Sequence, residues 1–162
     1  MPTTGAPGNI WYPDANSPVA PLENLFLQQA ASVNDALSAL TPGSAWTTYT
    51  PTLTDMVLGN GTLVAKHRKN GASRDVVFVF TFGSTSSISN TARFTLPLAA
   101  PYASSFGIYI SDSGTDSYPA FLRVAGGVAF PMTLSGGYFS STQPFTWVAG
   151  DRIEAAFTYL EN

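Results

Sequence analysis

The chain contains no cysteine and one histidine, His67. The first absence removes disulfides, thiolate zinc sites and cysteine nucleophiles together, and it leaves the redox compartment without a trace in the sequence. The second confines any Ser-His-Asp triad to His67, and no Gly-x-Ser-x-Gly turn accompanies it. Charge is scarce: Asp, Glu, Lys and Arg make up 10% of the residues, against about 25% in an average chain. Basic residues are the fewer, seven against ten acids, and a net charge of −3 offers no electrostatic footprint for nucleic acid. No apolar run approaches the ~20 residues that cross a bilayer. The N-terminus has neither the basic start nor the apolar core of a secretion signal. The expectation is a soluble protein with no nucleic-acid or membrane partner.

Carboxylates are equally uninformative about chemistry. A glycosidase needs a paired set, and the acids here are scattered along the chain. Asp112 and Asp116 in "SDSGTDS" are the nearest approach to a metal loop, and they fall short of the ligand density of a calcium site. No catalytic residue, cofactor or metal is expected, and the chain does not read as an enzyme.

What is present divides into three segments. Residues 1–20 are proline-rich (Pro2, Pro7, Pro13, Pro18), with Ile10-Trp11-Tyr12 in their midst. Proline fixes φ and removes donors, so an extended arm is expected. Its aromatic pair suits burial against another subunit or a larger assembly, which makes Ile10, Trp11 and Tyr12 candidate anchoring residues.

Residues 21–41 predict the one helix. Pro21 suits the first helical position, Glu23 sits favourably at the positive end of the dipole, and Thr41-Pro42-Gly43 stops it. Leu22, Phe26, Ala30, Val33, Leu37 and Leu40 recur at spacings of four and three as a single apolar seam. Short helices are marginal in water, so the seam requires a partner. That partner is either the β-domain of its own chain or copies of itself in a short coiled-coil-like bundle, and two heptads do not decide between them.

From residue 44 to 162 the period becomes two. "DVVFVFTF" sends Val76, Phe78, Phe80 and Phe82 to one face, and its second face is apolar enough for a central strand. "DRIEAAFTYL" alternates Ile153, Ala155, Phe157 and Tyr159 with more polar neighbours. Shorter strands are expected near 46–54, 62–69, 92–97, 106–111, 118–124, 128–134 and 145–148. Runs at this spacing, punctuated by Gly, Ser, Pro and Asn, predict an all-β fold, an antiparallel jelly-roll-like β-sandwich.

Asn60-Gly61 and Asn70-Gly71 read as turns, since Asn-Gly supplies the positive φ angles of tight reversals. They predict a three-stranded meander of 46–58, 62–69 and 75–82, with the second loop longer than two residues. Between the turns lies the one dense basic run. Lys66 and Arg68 share a face, either as a charged strand end that discourages edge pairing or as a small anion-facing patch. His67 lies on the face of Leu63 and Ala65 and reads as a histidine at the core margin. Aromatics form 13% of the chain and mostly fall at core positions. Tyr102, Tyr109, Tyr118, Tyr138 and Trp147 are candidates for stacking on sugar rings. Lys66, Arg68, Tyr118 and Trp147 are therefore the candidate surface ligand contacts.

Three stretches resemble the minor tail and short tail-fibre or head-fibre proteins of tailed bacteriophages, especially those of actinobacteria. They are the arm and helix "GNIWYPDANSPVAPLENLFLQQAASVNDAL", the opening "WTTYTPTLTDMVLGNGTLVAKHRKNG" and the ending "PFTWVAGDRIEAAFTYLEN". The resemblance implies a homotrimeric virion protein attached to other tail or capsid proteins by its N-terminal part, with β-domains outward and a host-surface glycan as a further partner. Members of the family usually continue into longer fibres, which this chain does not. That departure favours a small structural or decoration role.

Overall fold

The computed structural model describes residues 22–40 and 44–161, and the chain divides into an N-terminal unit that contains the helix and a second unit, Gly43–Asn162. The expected arm, with Ile10, Trp11 and Tyr12, lies outside the described residues, as do Pro21 and the stop at Thr41-Pro42-Gly43. Helix α1 runs Leu22–Leu40, one residue inside the expected span at each end. Asn24 and residues 26–34 are all exposed on it, among them Phe26, Ala30 and Val33 of the seam. The side chains of Leu22, Leu37 and Leu40 lie outside what is described.

The second unit consists of nine strands: β1 (Thr47–Thr48), β2 (Leu53–Val57), β3 (Thr62–Asn70), β4 (Ser73–Thr81), β5 (Ser87–Thr95), β6 (Ser104–Asp112), β7 (Asp116–Ala125), β8 (Val128–Met132) and β9 (Arg152–Leu160). All pair antiparallel in one curled sheet of order β1-β3-β4-β9-β6-β7-β8-β5-β2. As expected, β4 is interior, flanked by β3 and β9, and it buries Val76, Phe78 and Phe80, with Phe82 buried just past its end.

One long hairpin, folded across its middle, organises the sheet. β3 and β4 pair without interruption from Asn70↔Ser73 to Thr62↔Thr81. β2 and β5 continue that ladder outward from Val57↔Ser87 to Leu53↔Phe94, with a bulge between Thr54 and Met56. Yet the two halves lie at opposite ends of the strand order. The fold occurs where residues 58–61 and 82–86 run side by side. There Asn60 N–H donates to Thr85 Oγ1 at 2.9 Å, Thr85 N–H donates back to Asn60 Oδ1 at 3.0 Å, and Ser86 Oγ donates to the Leu58 carbonyl. A Cβ at Gly61 would stand 2.4 Å from the Thr81 carbonyl oxygen, and one at Gly83 only 2.2 Å from Asn60 Oδ1.

Asn60-Gly61 is thus a corner that sends the chain to the far end of the sheet, and the expected three-stranded meander is corrected here. Leu58–Gly61 is a tight turn, as expected, with Gly61 N–H on the Leu58 carbonyl at 2.9 Å, and the Asn60 side chain reaches across the corner to Ser84 and Thr85. Asn70-Gly71 does open a hairpin turn, and a tighter one than expected. Only Gly71, at φ +62, and Ala72 separate β3 from β4.

The expected strand 46–54 is also two pieces. Thr47 and Thr48 pair with His67 and Lys66, and Tyr49 N–H reaches the Ala65 carbonyl at 3.1 Å. Thr52 then bonds to Thr95 on the opposite edge, its carbonyl accepting at 3.1 Å and its N–H donating to Oγ1 at 2.8 Å. The chain crosses at Thr50-Pro51, where proline offers no donor to either ladder. Residues 145–148 form a loop instead of a strand, with Phe145 and Trp147 packed against the core.

Phe78 on β4 and Phe94 on β5 stack with ring centroids 3.8 Å apart and planes 5° from parallel. Those strands are far from neighbours in the sheet, so its curl brings its arms face to face. Ile110, Leu122, Val124, Phe139 and Ile153 fill the interior between them.

Candidate functional site

The basic run forms the closed end of the β3–β4 hairpin. With Gly71-Ala72 as the turn, Arg68 falls opposite Asp75 and Lys69 opposite Arg74. On the outer face Arg68 Nε binds Asp75 Oδ2 at 2.8 Å, and its guanidinium lies 4.8 Å above the Trp46 ring. Asp75 Oδ1 accepts from Thr158 on β9 at 2.7 Å. The Thr158 hydroxyl and Arg68 together hold the Asp75 carboxyl below its usual range. Lys66 shares this face, is exposed, and has no acid paired with it among the described residues.

The inner face of the same end carries a second charged group. Arg74 Nε binds Glu161 Oε2 at 2.7 Å, and Lys69 Nζ reaches Oε1 at 3.3 Å. Burial pushes the Glu161 carboxyl up, but the bonds from Arg74 and Lys69 outweigh it and leave it below the ordinary value. His67 Nδ1 lies 2.6 Å from Arg74 Nη1, and its ring meets Tyr49 edge-on at 5.5 Å. Burial, and then the Arg74 charge, push the His67 pKa down against the opposing pull of Glu161. A neutral ring with Nδ1 accepting from Arg74 satisfies that contact. Burial likewise raises the Tyr49 phenol, whose buried hydroxyl has no hydrogen-bond partner among the described residues.

Chemically, this end is a neutralised clasp. Of the run Lys66-His67-Arg68-Lys69, Arg68 and Lys69 are committed to acids within the unit and His67 faces Arg74. Among the described residues Lys66 alone of the four has no acid or arginine partner. The sequence reading missed Trp46, Asp75, Thr158 and Glu161. A two-residue turn would have set Asp75 opposite Arg68, but pairing with β9 lies 83 residues further along for Thr158 and carries no local signal.

Trp147 and Tyr118 belong to another part of the unit. Trp147 stacks on Phe82 at 4.7 Å, touches Phe139 and Phe145, and donates its indole N–H to the Ser140 carbonyl at 2.9 Å. Tyr118 packs on Phe145 at 5.8 Å and is half-buried against the core. The loop beneath Trp147 is tied by Asp151, which is fully buried. Its carboxylate accepts from Val148 N–H at 2.6 Å and Ser113 N–H at 2.8 Å. Gly150 sits at φ +97, where a Cβ would meet Ser113 Oγ at 2.8 Å. These contacts account for Trp147, Gly150 and Asp151 as builders of the fold.

The four candidate contacts are therefore not one site: Lys66 and Arg68 share the hairpin end, while Trp147 and Tyr118 lie with Phe145. Of the remaining candidate aromatics, Tyr102 and Tyr109 are more exposed than Tyr138. Asp112 and Asp116 close a turn, with Thr115 N–H on the Asp112 carbonyl at 2.9 Å. Among the described residues no three His, Asp or Glu side chains stand together as metal ligands. No family model, curated protein or solved structure matches the chain.

Proposed function

We propose that this chain is a structural virion protein of a tailed bacteriophage, a trimeric minor tail or short fibre protein. Residues 1–20, with Ile10, Trp11 and Tyr12, attach it to the particle. The seam of α1 gathers three copies, and the β-unit turns outward to the host surface. In this reading the curled sheet is a jelly-roll-like sandwich, a form that the folded hairpin supports.

The carrying observation is the apolar seam of α1, with Phe26, Ala30 and Val33 exposed, while the β-unit fills its own interior with large side chains. A helix of 19 residues gains most of its stability from an apolar face that is covered. The phage-like stretches give further support, because Trp147, Gly150 and Asp151 have defined places in the β-unit.

The test is a phage that encodes the chain without residues 1–20. The protein should accumulate as soluble trimers that are missing from purified particles, and normal incorporation would refute the anchoring role. Antibody labelling of intact particles separates the tail position proposed here from its rival, a capsid decoration or head-fibre protein. Binding of the purified full chain on a glycan array, together with absence from particles, would instead mark a free carbohydrate-binding module.

A further inference from the structure

The two Asn-Gly pairs, Asn60-Gly61 and Asn70-Gly71, are treated by the fold in opposite ways. An asparagine before glycine is prone to lose its side-chain amide, because glycine has no Cβ to hinder its own backbone nitrogen in reaching the asparagine Cγ. The reaction needs a side chain free to turn, a glycine N–H not held elsewhere, and a backbone with room to bend. Asn60 has none of these. Its Oδ1 accepts from Thr85 N–H and from Thr85 Oγ1, each at 3.0 Å, and its Nδ2 donates to Ser84 Oγ at 3.0 Å. Gly61 N–H is held by the Leu58 carbonyl at 2.9 Å, and a Cβ on Gly61 would stand 2.4 Å from the Thr81 carbonyl oxygen.

Asn70 is differently placed. Its side chain makes one long contact, from Nδ2 to Asp75 Oδ2 at 3.4 Å. Gly71 N–H donates to no acceptor among the described residues, and nothing stands within 4 Å of a Cβ built on Gly71. Gly71 and Ala72 are exposed, and Gly71 at φ +62 is the first central residue of the reversal, as in a type II′ turn. Exposed loop tips of this kind open locally at low free-energy cost. Exposure of the asparagines themselves would favour the opposite order, since Asn60 is exposed and Asn70 half-buried.

We propose that Asn70 is a site of spontaneous deamidation, and that Asn60 is protected by the corner it builds. The Gly71 nitrogen gives up its proton and bonds to Asn70 Cγ. The bond from Cγ to the side-chain nitrogen breaks, and that nitrogen leaves as ammonia. Water then opens the cyclic succinimide at either carbonyl, which yields aspartate or isoaspartate with no oxidant or other reactant. Either product sets a carboxylate where an amide donor faced Asp75. Isoaspartate also adds a backbone carbon beside a two-residue turn that fixes Asn70 opposite Ser73. Both changes loosen the ladder that sets Arg68 on Asp75.

The test holds the full-length protein in mildly alkaline buffer and maps its peptides at intervals by mass spectrometry, with isoaspartate and aspartate products separated by chromatography. Asn70 should convert about tenfold faster than Asn60 or more, since several hydrogen bonds oppose cyclisation at Asn60 and one long contact at Asn70. The same chain in urea should convert both at similar rates. Aged protein should melt at a lower temperature than fresh protein. Asn70→Gln, whose longer side chain does not close the succinimide, should keep its melting temperature over the same period. Conversion of Asn60 as fast as Asn70 in the folded chain overturns the assignment, as does an unchanged Asn70 over a period in which the chain in urea converts it. The same preference for Asn70 in urea returns the difference to local sequence and overturns the protection by the corner. Conversion of Asn70 without a fall in melting temperature overturns the loosening of the hairpin end.

Discussion

Phe78 and Phe94 stack almost in parallel, at 3.8 Å, although their strands stand near opposite ends of the sheet. Both rings are fully buried. This contact joins the inner half of the long hairpin to its outer half, so it reports on the folding-over itself. Phe78→Ala or Phe94→Ala should cost about 3–5 kcal/mol each, by lost transfer energy and the cavity left behind. Because the rings touch, a double-mutant cycle should show a coupling of about 0.5–1.5 kcal/mol. Urea unfolding of the four proteins checks both values.

The corner glycines make a prediction of opposite kind. Gly83→Ala places a methyl group 2.2 Å from Asn60 Oδ1 and 2.6 Å from the Gly61 amide nitrogen. It should destabilise the protein by about 1–3 kcal/mol, the range of overpacking. Gly127→Ala meets nothing within 4 Å, and Gly127 has no positive φ. It should leave stability within about 1 kcal/mol of the parent, on the favourable side if the entropy of the unfolded chain dominates. Thermal melts of the two variants side by side test the contrast.

Asp151 holds the loop beneath Trp147 through two backbone N–H donors while fully buried. Asp151→Ala leaves both amides without their acceptor, and a loss of roughly 3 kcal/mol is expected from charge-assisted bonds of this type. Near-ultraviolet circular dichroism should change with it, because the indole of Trp147 loses its fixed surroundings.

Acid sensitivity follows from the hairpin end. The His67 pKa is lowered in the fold, so the unfolded chain binds the proton more readily. That contribution to stability is complete above the unfolded value near 6.5 and declines as pH falls below it. Asp75 and Glu161 are also lowered, and their contributions persist to the ordinary carboxylate range before they are lost. The melting temperature should therefore drop between pH 7.5 and pH 5.5 in the parent and drop less in His67→Gln. Equal drops in the two proteins would remove His67 from the account.

Local signals carried much of this fold. The alternation in residues 75–82 and 151–160 groups on one face the side chains that β4 and β9 bury, because strand-interior burial imposes a period of two on the chain itself. Pairing partners were a different matter. Leu53 meets Phe94 across the ends of a folded hairpin, and no residue near either records that choice. β5 is legible only from residue 92, since its first half, "SISNT", is polar and buries only Ile88. Phe145 and Trp147 alternate like a strand yet belong to a loop, whose backbone is held by Asp151 and by the Trp147 bond to Ser140. The basic run reads equally as a charged strand end or as a patch because its acids, Asp75 on β4 and Glu161 just past β9, come from elsewhere in the chain.

The account stands or falls with what covers α1, and the mass of the full chain in solution measures that most directly. Sedimentation should give three times the 17.1 kDa chain, and Val33→Asp, which puts a charge into the seam, should shift it to monomer without unfolding the β-unit. A parent protein that sediments as a monomer at micromolar concentration would contradict the account.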